Sequence, residues 1–154
     1  MANVLIAFTS YSGNTKEVAE IIADHLEEAG HNTKMVWLDD VSEILFEGHD
    51  EFDYYVFGTF TWGSGELPVE WSSTDLLRTL EGKPVSVFGT GDTQFGGDRL
   101  YNRAVYILME ELLFEGMDVS NVELTIEQSP RGSQEQEVRE WTDGIIRQLE
   151  SLRE

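Results

Sequence analysis

Cysteine is absent from the 154 residues of this sequence. Its absence excludes disulfide bonds, thiolate metal ligands and cysteine nucleophiles, and it is consistent with a reducing compartment. Basic residues are also scarce, since 10 Lys and Arg stand against 30 Asp and Glu and give a formal net charge of -20. So acidic a surface repels nucleic acids and anionic membranes. A basic protein is therefore the expected kind of partner.

Long hydrophobic runs are missing as well. The N-terminal apolar run, Val4 to Phe8, is too short for a membrane span and is not preceded by the basic segment of a signal peptide. We therefore expect a cytoplasmic protein. With 40% hydrophobic residues, the chain has enough apolar side chains for one buried core, and residues 1–154 are expected to form a single domain.

The spacing of apolar residues predicts alternating strands and helices. Short apolar runs predict strands buried on both faces at 4–8, 34–38, 54–58, 84–89 and 122–126. Helical spacing recurs from Val18 to Ala29, ending at Gly30, and over 68–80, 100–115 and 134–152. This alternation favours a doubly wound α/β fold: a five-stranded parallel sheet, order 2-1-3-4-5, with helices on both faces.

In such a sheet, ligands bind beyond the carboxyl ends of the strands, where strands one and three meet. The first loop at that edge is TSYSGNT, residues 9–15, which leads into helix one. A helix N-terminus attracts anions, and Gly13 admits a close approach of the backbone. The side-chain donors are Ser10, Ser12, Asn14 and Thr15. Without the lysine of a G-x-x-x-x-G-K-[ST] loop, they fit a terminal monophosphate; the alternative is that they merely cap the helix.

Each of the two other loops at this edge carries one aromatic residue. The segment GTFTWGSGELP, 58–68, places Trp62 before a Gly-Ser-Gly run, which suits stacking on a flat ring while main-chain groups reach its edge. The segment GTGDTQFGGDRLY, 89–101, carries Phe95. Together the two aromatics predict a site that sandwiches a planar heterocycle. The alternatives are that Trp62 is a lid over the core and that Phe95 packs within its own loop.

With these three motifs in order, the sequence resembles the flavodoxins over essentially its whole length. TSYSGNT is similar to their phosphate-loop pattern [ST]-x-[ST]-G-x-T, TWGSGELP to their T-W-x-x-G-E-L segment, and GTGD to the start of the loop beside the isoalloxazine. The short interval between VELTI and the last helix resembles the short-chain type. The resemblance implies a single flavodoxin-like domain, 1–154, that binds FMN non-covalently.

The resemblance also implies three groups of cofactor-binding residues. The phosphate would be held by Ser10, Ser12, Gly13, Asn14 and Thr15, with the N–H of Tyr11. The second group is Thr59, Thr61, Trp62, Gly63 and Ser64, and the third is Thr90, Gly91, Asp92 and Phe95. Trp62 and Phe95 would flank the ring, where many members have Tyr in place of Phe95. Backbone groups of Gly63, Gly91 and Asp92 would meet the ring edge, and the Gly63–Ser64 peptide would turn its carbonyl toward protonated N5.

The implied function is that of a low-potential one-electron carrier shuttling between hydroquinone and neutral semiquinone, with no catalytic residues. The implied partners are a basic flavodoxin/ferredoxin reductase and an acceptor oxidoreductase, and the implied state is a monomer. Two alternatives are an FMN-dependent NAD(P)H:quinone-type reductase and a flavodoxin-like activator of ribonucleotide reductase. A signalling receiver domain is rejected, because its acidic positions hold Thr9, Ser10, Gly58 and Thr59. The histidines are scattered and predict no metal site.

Overall fold

The computed structural model describes residues 2–9, 13–37, 52–60, 82–91, 103–114, 116–119, 122–127 and 132–152. Its strands are β1 Asn3–Phe8, β2 Asn32–Trp37, β3 Tyr54–Phe60, β4 Val85–Gly91 and β5 Leu124–Glu127, and its helices are α1 Asn14–Glu28, α2 Arg103–Phe114 and α3 Ser133–Leu152. The strands form one parallel sheet in the order β2-β1-β3-β4-β5. The predicted fold and strand order are confirmed. The predicted helix at 68–80 lies outside the described residues.

Both faces of the sheet are covered, because successive strand residues point to opposite sides. On one face Val4 and Ile6 pack with apolar residues of α1 and α3, and on the other Leu5 and Ala7 pack with α2. Two buried cores therefore share one sheet. This arrangement explains why the strands read as nearly continuous apolar runs.

The observed element boundaries differ from the predicted ones for local reasons. β3 continues beyond the predicted 58 to Phe60, since Thr59 and Phe60 pair with Gly89 and Thr90 of β4. β5 begins at Leu124, two residues later than predicted. The carbonyl of Val122 instead accepts a hydrogen bond of 2.7 Å from the indole of Trp141, on α3. In the described part of the chain, no helix has the length and apolar character needed to cross a bilayer.

Two of the helices end in the same backbone motif. In each, a glycine with positive φ follows the helix, at 92° for Gly30 and 84° for Gly116. The glycine amide and the next amide bond back to the helix: Gly30 N to Glu27 O at 3.0 Å, His31 N to Leu26 O at 3.1 Å, Gly116 N to Leu113 O at 3.1 Å and Met117 N to Leu112 O at 3.0 Å. This is the Schellman arrangement, which satisfies the last carbonyls of a helix.

The α2 helix brings the chain back to the amino end of the sheet. Asp118 N donates to Lys83 O at 2.9 Å, and Gly82 N donates to Gly116 O at 2.8 Å. Both bonds lie beside the start of β4 at Val85. The chain thus leaves β4 at the carboxyl edge, runs through α2, and arrives at the amino edge.

Candidate functional site

The carboxyl ends of β1, β3 and β4 lie side by side. The register pairs Phe8 with Gly58, and Phe60 with Thr90. One residue beyond β1, Thr9 N donates to Gly58 O at 3.0 Å. The three segments singled out in the sequence therefore leave the sheet at one edge, beside the point where β1 and β3 meet. This is the switch point at which doubly wound folds bind their ligands.

Gly58 permits close packing directly beneath this edge. A Cβ atom at this position would lie 2.1 Å from Cζ of Phe88 and within 2.6 Å of two further ring atoms. The Phe88 ring is fully buried and meets Trp141 edge-on, with 6.3 Å between ring centroids. Because the ring is held on both sides, it leaves no room for a side chain at residue 58.

Two pairs of buried threonine hydroxyls join the segments of this edge. Thr9 Oγ1 donates to Thr59 Oγ1 at 3.2 Å, and Thr59 Oγ1 donates to the carbonyl of Phe60 at 3.1 Å. Thr15 Oγ1 and Thr90 Oγ1 lie 2.8 Å apart, and either can be the donor. All four threonines are at most 3% exposed. Since burial of an unpaired hydroxyl is costly, each pair fixes the relative position of two segments.

The N-terminus of α1 lies at the same edge. Its N-cap is Gly13, which has φ 93° and makes no side-chain capping bond. A Cβ on Gly13 would meet nothing within 4 Å, so the space beside the N-cap is open. The N-cap residue therefore gives no support to the alternative that a hydroxyl side chain merely caps this helix. A helix N-terminus beside uncharged donors is suited to binding an anion.

The described residues hold six of the predicted site residues. Gly13, Asn14 and Gly91 are half-buried, whereas Thr15, Thr59 and Thr90 are buried. The structure brings Thr15 and Thr90 together although they are 75 residues apart. The other nine lie outside the described residues: Ser10, Tyr11, Ser12, Thr61, Trp62, Gly63, Ser64, Asp92 and Phe95.

One residue of this edge was missed by the sequence analysis. The sequence motifs place Thr9 in the first loop without a part in the site, yet its hydroxyl donates to Thr59. The available signal was its place as the first polar residue after β1. Had strands one and three been aligned by their predicted ends, the two threonines would have been paired.

The donor set is suited to binding and offers no charged acid, base or nucleophile. The six described site residues are Gly, Asn and Thr, which are uncharged over the ordinary pH range. If the Thr90 hydroxyl donates to Thr15, the proton of Thr15 is left for a ligand. A phosphate at the helix N-terminus fits these donors.

A parallel sheet of this order, with a donor-rich helix N-terminus at its switch point, defines the class of doubly wound nucleotide-binding α/β domains. The family model described as flavodoxin matches residues 6–141 of the chain. "Probable flavodoxin 2" of Bacillus subtilis (strain 168) is 33% identical over 144 residues, which is 90% of this chain and 90% of that protein. The flavodoxin of Nitratidesulfovibrio vulgaris (strain DSM 19637 / Miyazaki F) is 32% identical over 155 aligned positions, 97% of this chain and 100% of that protein.

A solved structure gives the same result. The oxidised Flavodoxin 2 of Bacillus cereus superposes with a TM-score of 0.83 at 31% identity, covering 96% of this chain and 99% of that one. The chain belongs to the flavodoxin family. Members of this family bind FMN and transfer electrons between oxidoreductases, which makes FMN the cofactor and electron transfer the function. Residues 128–132 connect β5 to α3.

Proposed function

We propose that this chain is a one-electron carrier whose residues 1–154 form one FMN-binding domain. The observation that carries the proposal is the buried hydrogen bond between Thr15 and Thr90, 2.8 Å long. It ties the N-terminus of α1 to the end of β4, and so joins the predicted phosphate segment to a predicted ring segment. When bound, FMN supplies reversible one-electron chemistry, and the chain positions it and shields it from water.

The phosphate is assigned to the first segment. Helix α1 contributes its N-terminal partial charge, which stabilises an anion by about 0.3–1 kcal/mol. Gly13 leaves open space there, and the half-buried Asn14 can donate its side-chain amide. Thr15 accepts from Thr90 and donates its own proton to the phosphate. Ser10, Ser12 and the N–H of Tyr11 complete the proposed set.

The flavin ring is assigned to the second and third segments. Trp62 and Phe95 are proposed to stack on its two faces, and backbone groups of Gly63, Ser64, Gly91 and Asp92 to meet its edge. Thr61 belongs to the same segment. Thr59 is not proposed to donate to the ring, because its hydroxyl proton is already donated to the carbonyl of Phe60. We propose that Thr59 fixes the direction in which the second loop leaves β3.

The acidic surface is proposed to lower the reduction potential of the flavin and to attract basic partner proteins. Each carboxylate ~10 Å from the flavin disfavours a further negative charge by about 0.4 kcal/mol in bulk water, less with salt screening. The net charge of -20 therefore lowers the reduction potential through many small terms. It also steers basic partners, for which we propose a flavodoxin/ferredoxin reductase and an acceptor oxidoreductase. The proposed carrier is monomeric and cytoplasmic.

The test is an anaerobic stepwise reduction of the FMN-loaded protein, followed by its visible spectrum. A one-electron carrier is expected to take up its two electrons at separate potentials, with a resolved spectrum after the first. It should not oxidise NAD(P)H in steady state with a quinone unless a reductase is added. A single two-electron step together with steady-state NAD(P)H oxidation would instead favour the quinone-reductase alternative. Failure of the purified chain to retain FMN would reject the assigned site.

A further inference from the structure

A cluster of exposed apolar side chains lies on and beside α2. Phe114 is 88% exposed, Val122 76%, Leu113 57% and Tyr106 48%. Tyr106 and Leu113 are seven residues apart and lie on one side of the helix, and Phe114 lies about 100° further round from Leu113. Val122 is grouped with them because the carboxylate of the next residue, Glu123, is close enough to raise the pKa of Tyr106. We call these four residues the α2 patch.

The fold does not require apolar residues at this place. α1 and α2 end in the same Schellman motif, with Gly30 and Gly116 in equivalent positions. At the two helical positions where α2 has Leu113 and Phe114, α1 has Glu27 and Glu28. All four side chains are exposed. The same backbone therefore accepts a charged pair, and the apolar pair on α2 has no role in closing its helix.

Acidic groups outnumber basic ones in and beside the α2 patch, where the exposed Arg103 lies one turn before Tyr106. Glu110 is exposed and lies one turn from both Tyr106 and Phe114, and Asp118 is exposed just beyond the helix end. Glu123 adds a third carboxylate, next to Val122. Apolar side chains with acidic ones among and beside them are complementary to an apolar surface that carries Lys or Arg. This charge also opposes pairing with a second copy, which would bring two acidic surfaces and two net charges of -20 together.

We propose that the α2 patch is a docking surface for a basic amphipathic helix of a partner protein. From Tyr106 to Phe114 the patch runs along α2 for about 12 Å, the length of two turns of a helix packed beside it. Phe114 and Leu113 provide the apolar contact, and Glu110, Asp118 and Glu123 pair with the partner's cations.

The place of the patch keeps this contact apart from the cofactor. α2 ends beside Lys83 and Gly82, at the amino edge of the sheet. The strand β4 separates that edge from the Thr15–Thr90 bond by about 20 Å. A partner held by Leu113 and Phe114 therefore leaves the carboxyl edge accessible. The surface is suited to tethering the protein while a second protein approaches the flavin.

The test measures binding of a labelled synthetic peptide to the FMN-loaded protein at ~0.15 M salt. The peptide consists of Leu and Lys arranged as an amphipathic helix of about five turns. The main variant is Leu113→Glu/Phe114→Glu, which copies the Glu27–Glu28 pair of α1. Its matched control is Lys34→Glu, an exposed position on β2 that changes the net charge by the same two units. Retained FMN absorbance and an unchanged thermal midpoint show that each variant is folded.

Apolar contact and attraction between charges are the two possible causes of peptide binding. The Glu pair weakens the first and strengthens the second. If the α2 patch binds the peptide, the double variant binds it roughly tenfold or more weakly despite two added negative charges. Lys34→Glu then binds it as tightly as the wild type or more tightly. The proposal is overturned if the wild type does not bind, if the double variant binds equally or better, or if Lys34→Glu is weakened to the same extent.

A second variant and a second measurement complete the test. If the Glu pair prevents folding, Leu113→Gln/Phe114→Gln removes the apolar surface without changing the charge, and weaker binding is again expected. Sedimentation of the wild type distinguishes the other occupant. A dimer that dissociates in the Gln variant would show that a second copy covers the patch and would overturn the proposed partner.

Discussion

Polar side chains are buried at one edge of the sheet, and large apolar side chains are exposed at the other. At the carboxyl edge, four threonines are buried and bonded in pairs, Thr9 with Thr59 and Thr15 with Thr90. At the amino edge, Leu113 and Phe114 are exposed although the carbonyl of Leu113 accepts a hydrogen bond from Gly116 N. Buried hydroxyls and exposed large apolar groups each oppose the general trend for folded proteins. Such departures point to a functional role in addition to any effect on stability.

The difference shows what kind of contact each edge is built for. Buried hydroxyl pairs fix the angle between segments, and a small ligand requires that accuracy. An exposed Leu–Phe pair on a rigid helix end provides area with little directional demand, which suits contact with another protein.

The largest effect is expected for Gly58→Ala, beneath the carboxyl edge. The added Cβ would lie 2.1 Å from the buried ring of Phe88. We expect a loss of about 3 kcal/mol in the free energy of unfolding, because neither the strand nor the ring can move away. Urea unfolding of the apoprotein measures it. Adding Phe88→Leu should recover part of the loss, and a double variant no more stable than Gly58→Ala would contradict the assigned clash.

A matched control is the same substitution at Gly144, inside α3. There the new Cβ has Arg147 Nη2 at 3.8 Å as its nearest neighbour, an ordinary contact. Gly144→Ala is expected to raise the free energy of unfolding by about 0.5–1 kcal/mol, as usual for glycine in a helix. The two changes in the free energy of unfolding are expected to have opposite signs. This difference distinguishes crowding at residue 58 from the general effect of replacing glycine.

The architecture could be predicted from the sequence because its signals are local and repeat. Each buried strand is a short apolar run, and α1 shows helical spacing that stops at Gly30. Strand order followed from general rules for parallel sheets. The errors are at element ends, where tertiary contacts decide. Val122 was assigned to a strand by its apolar character, but the indole of Trp141 holds its carbonyl.

The site could be predicted only in part. The motifs located Thr15 and Thr90, but the sequence contains no sign that the two hydroxyls bond to each other across 75 residues. That contact depends on the register of β4 with β3 and on the tilt of α1, which no local pattern specifies. The role of Gly58 was equally hidden, because it depends on the side chain opposite it on β4. The motifs identify the residue types at an edge, and packing decides which of them meet.

An intermediate effect is expected for Thr15→Val and Thr90→Val. Each variant has nearly the shape of the wild type but leaves the other hydroxyl buried without its partner. We expect each to lower the free energy of unfolding of the apoprotein by about 1–3 kcal/mol. The double variant should lose less than the sum of the two, since it leaves neither hydroxyl unpaired. Strict additivity in urea unfolding would contradict a functional bond between them.

The same variants distinguish positioning from phosphate binding. Thr15→Val is expected to weaken FMN binding while leaving riboflavin binding unchanged, because riboflavin lacks the phosphate. Thr90→Val should have the same selectivity with a smaller effect, since it acts through Thr15. Thr90→Ser keeps the hydroxyl and should restore FMN affinity. Equal losses for FMN and riboflavin would show that the pair supports the fold alone.

The smallest effect concerns the titration of Tyr106 in the α2 patch. Burial and, second, the carboxylate of Glu123 raise its pKa above the ordinary value of 10.0. Glu123→Gln removes the negative charge and is expected to lower this pKa toward 10.0. Because the unfolded chain releases the phenol proton more readily, this group reduces stability as pH rises above 10, and less so in the variant. Subtracting the phenolate titration of Tyr106→Phe in each background isolates this residue. An unchanged pKa in Glu123→Gln would remove Glu123 from the surroundings of the patch.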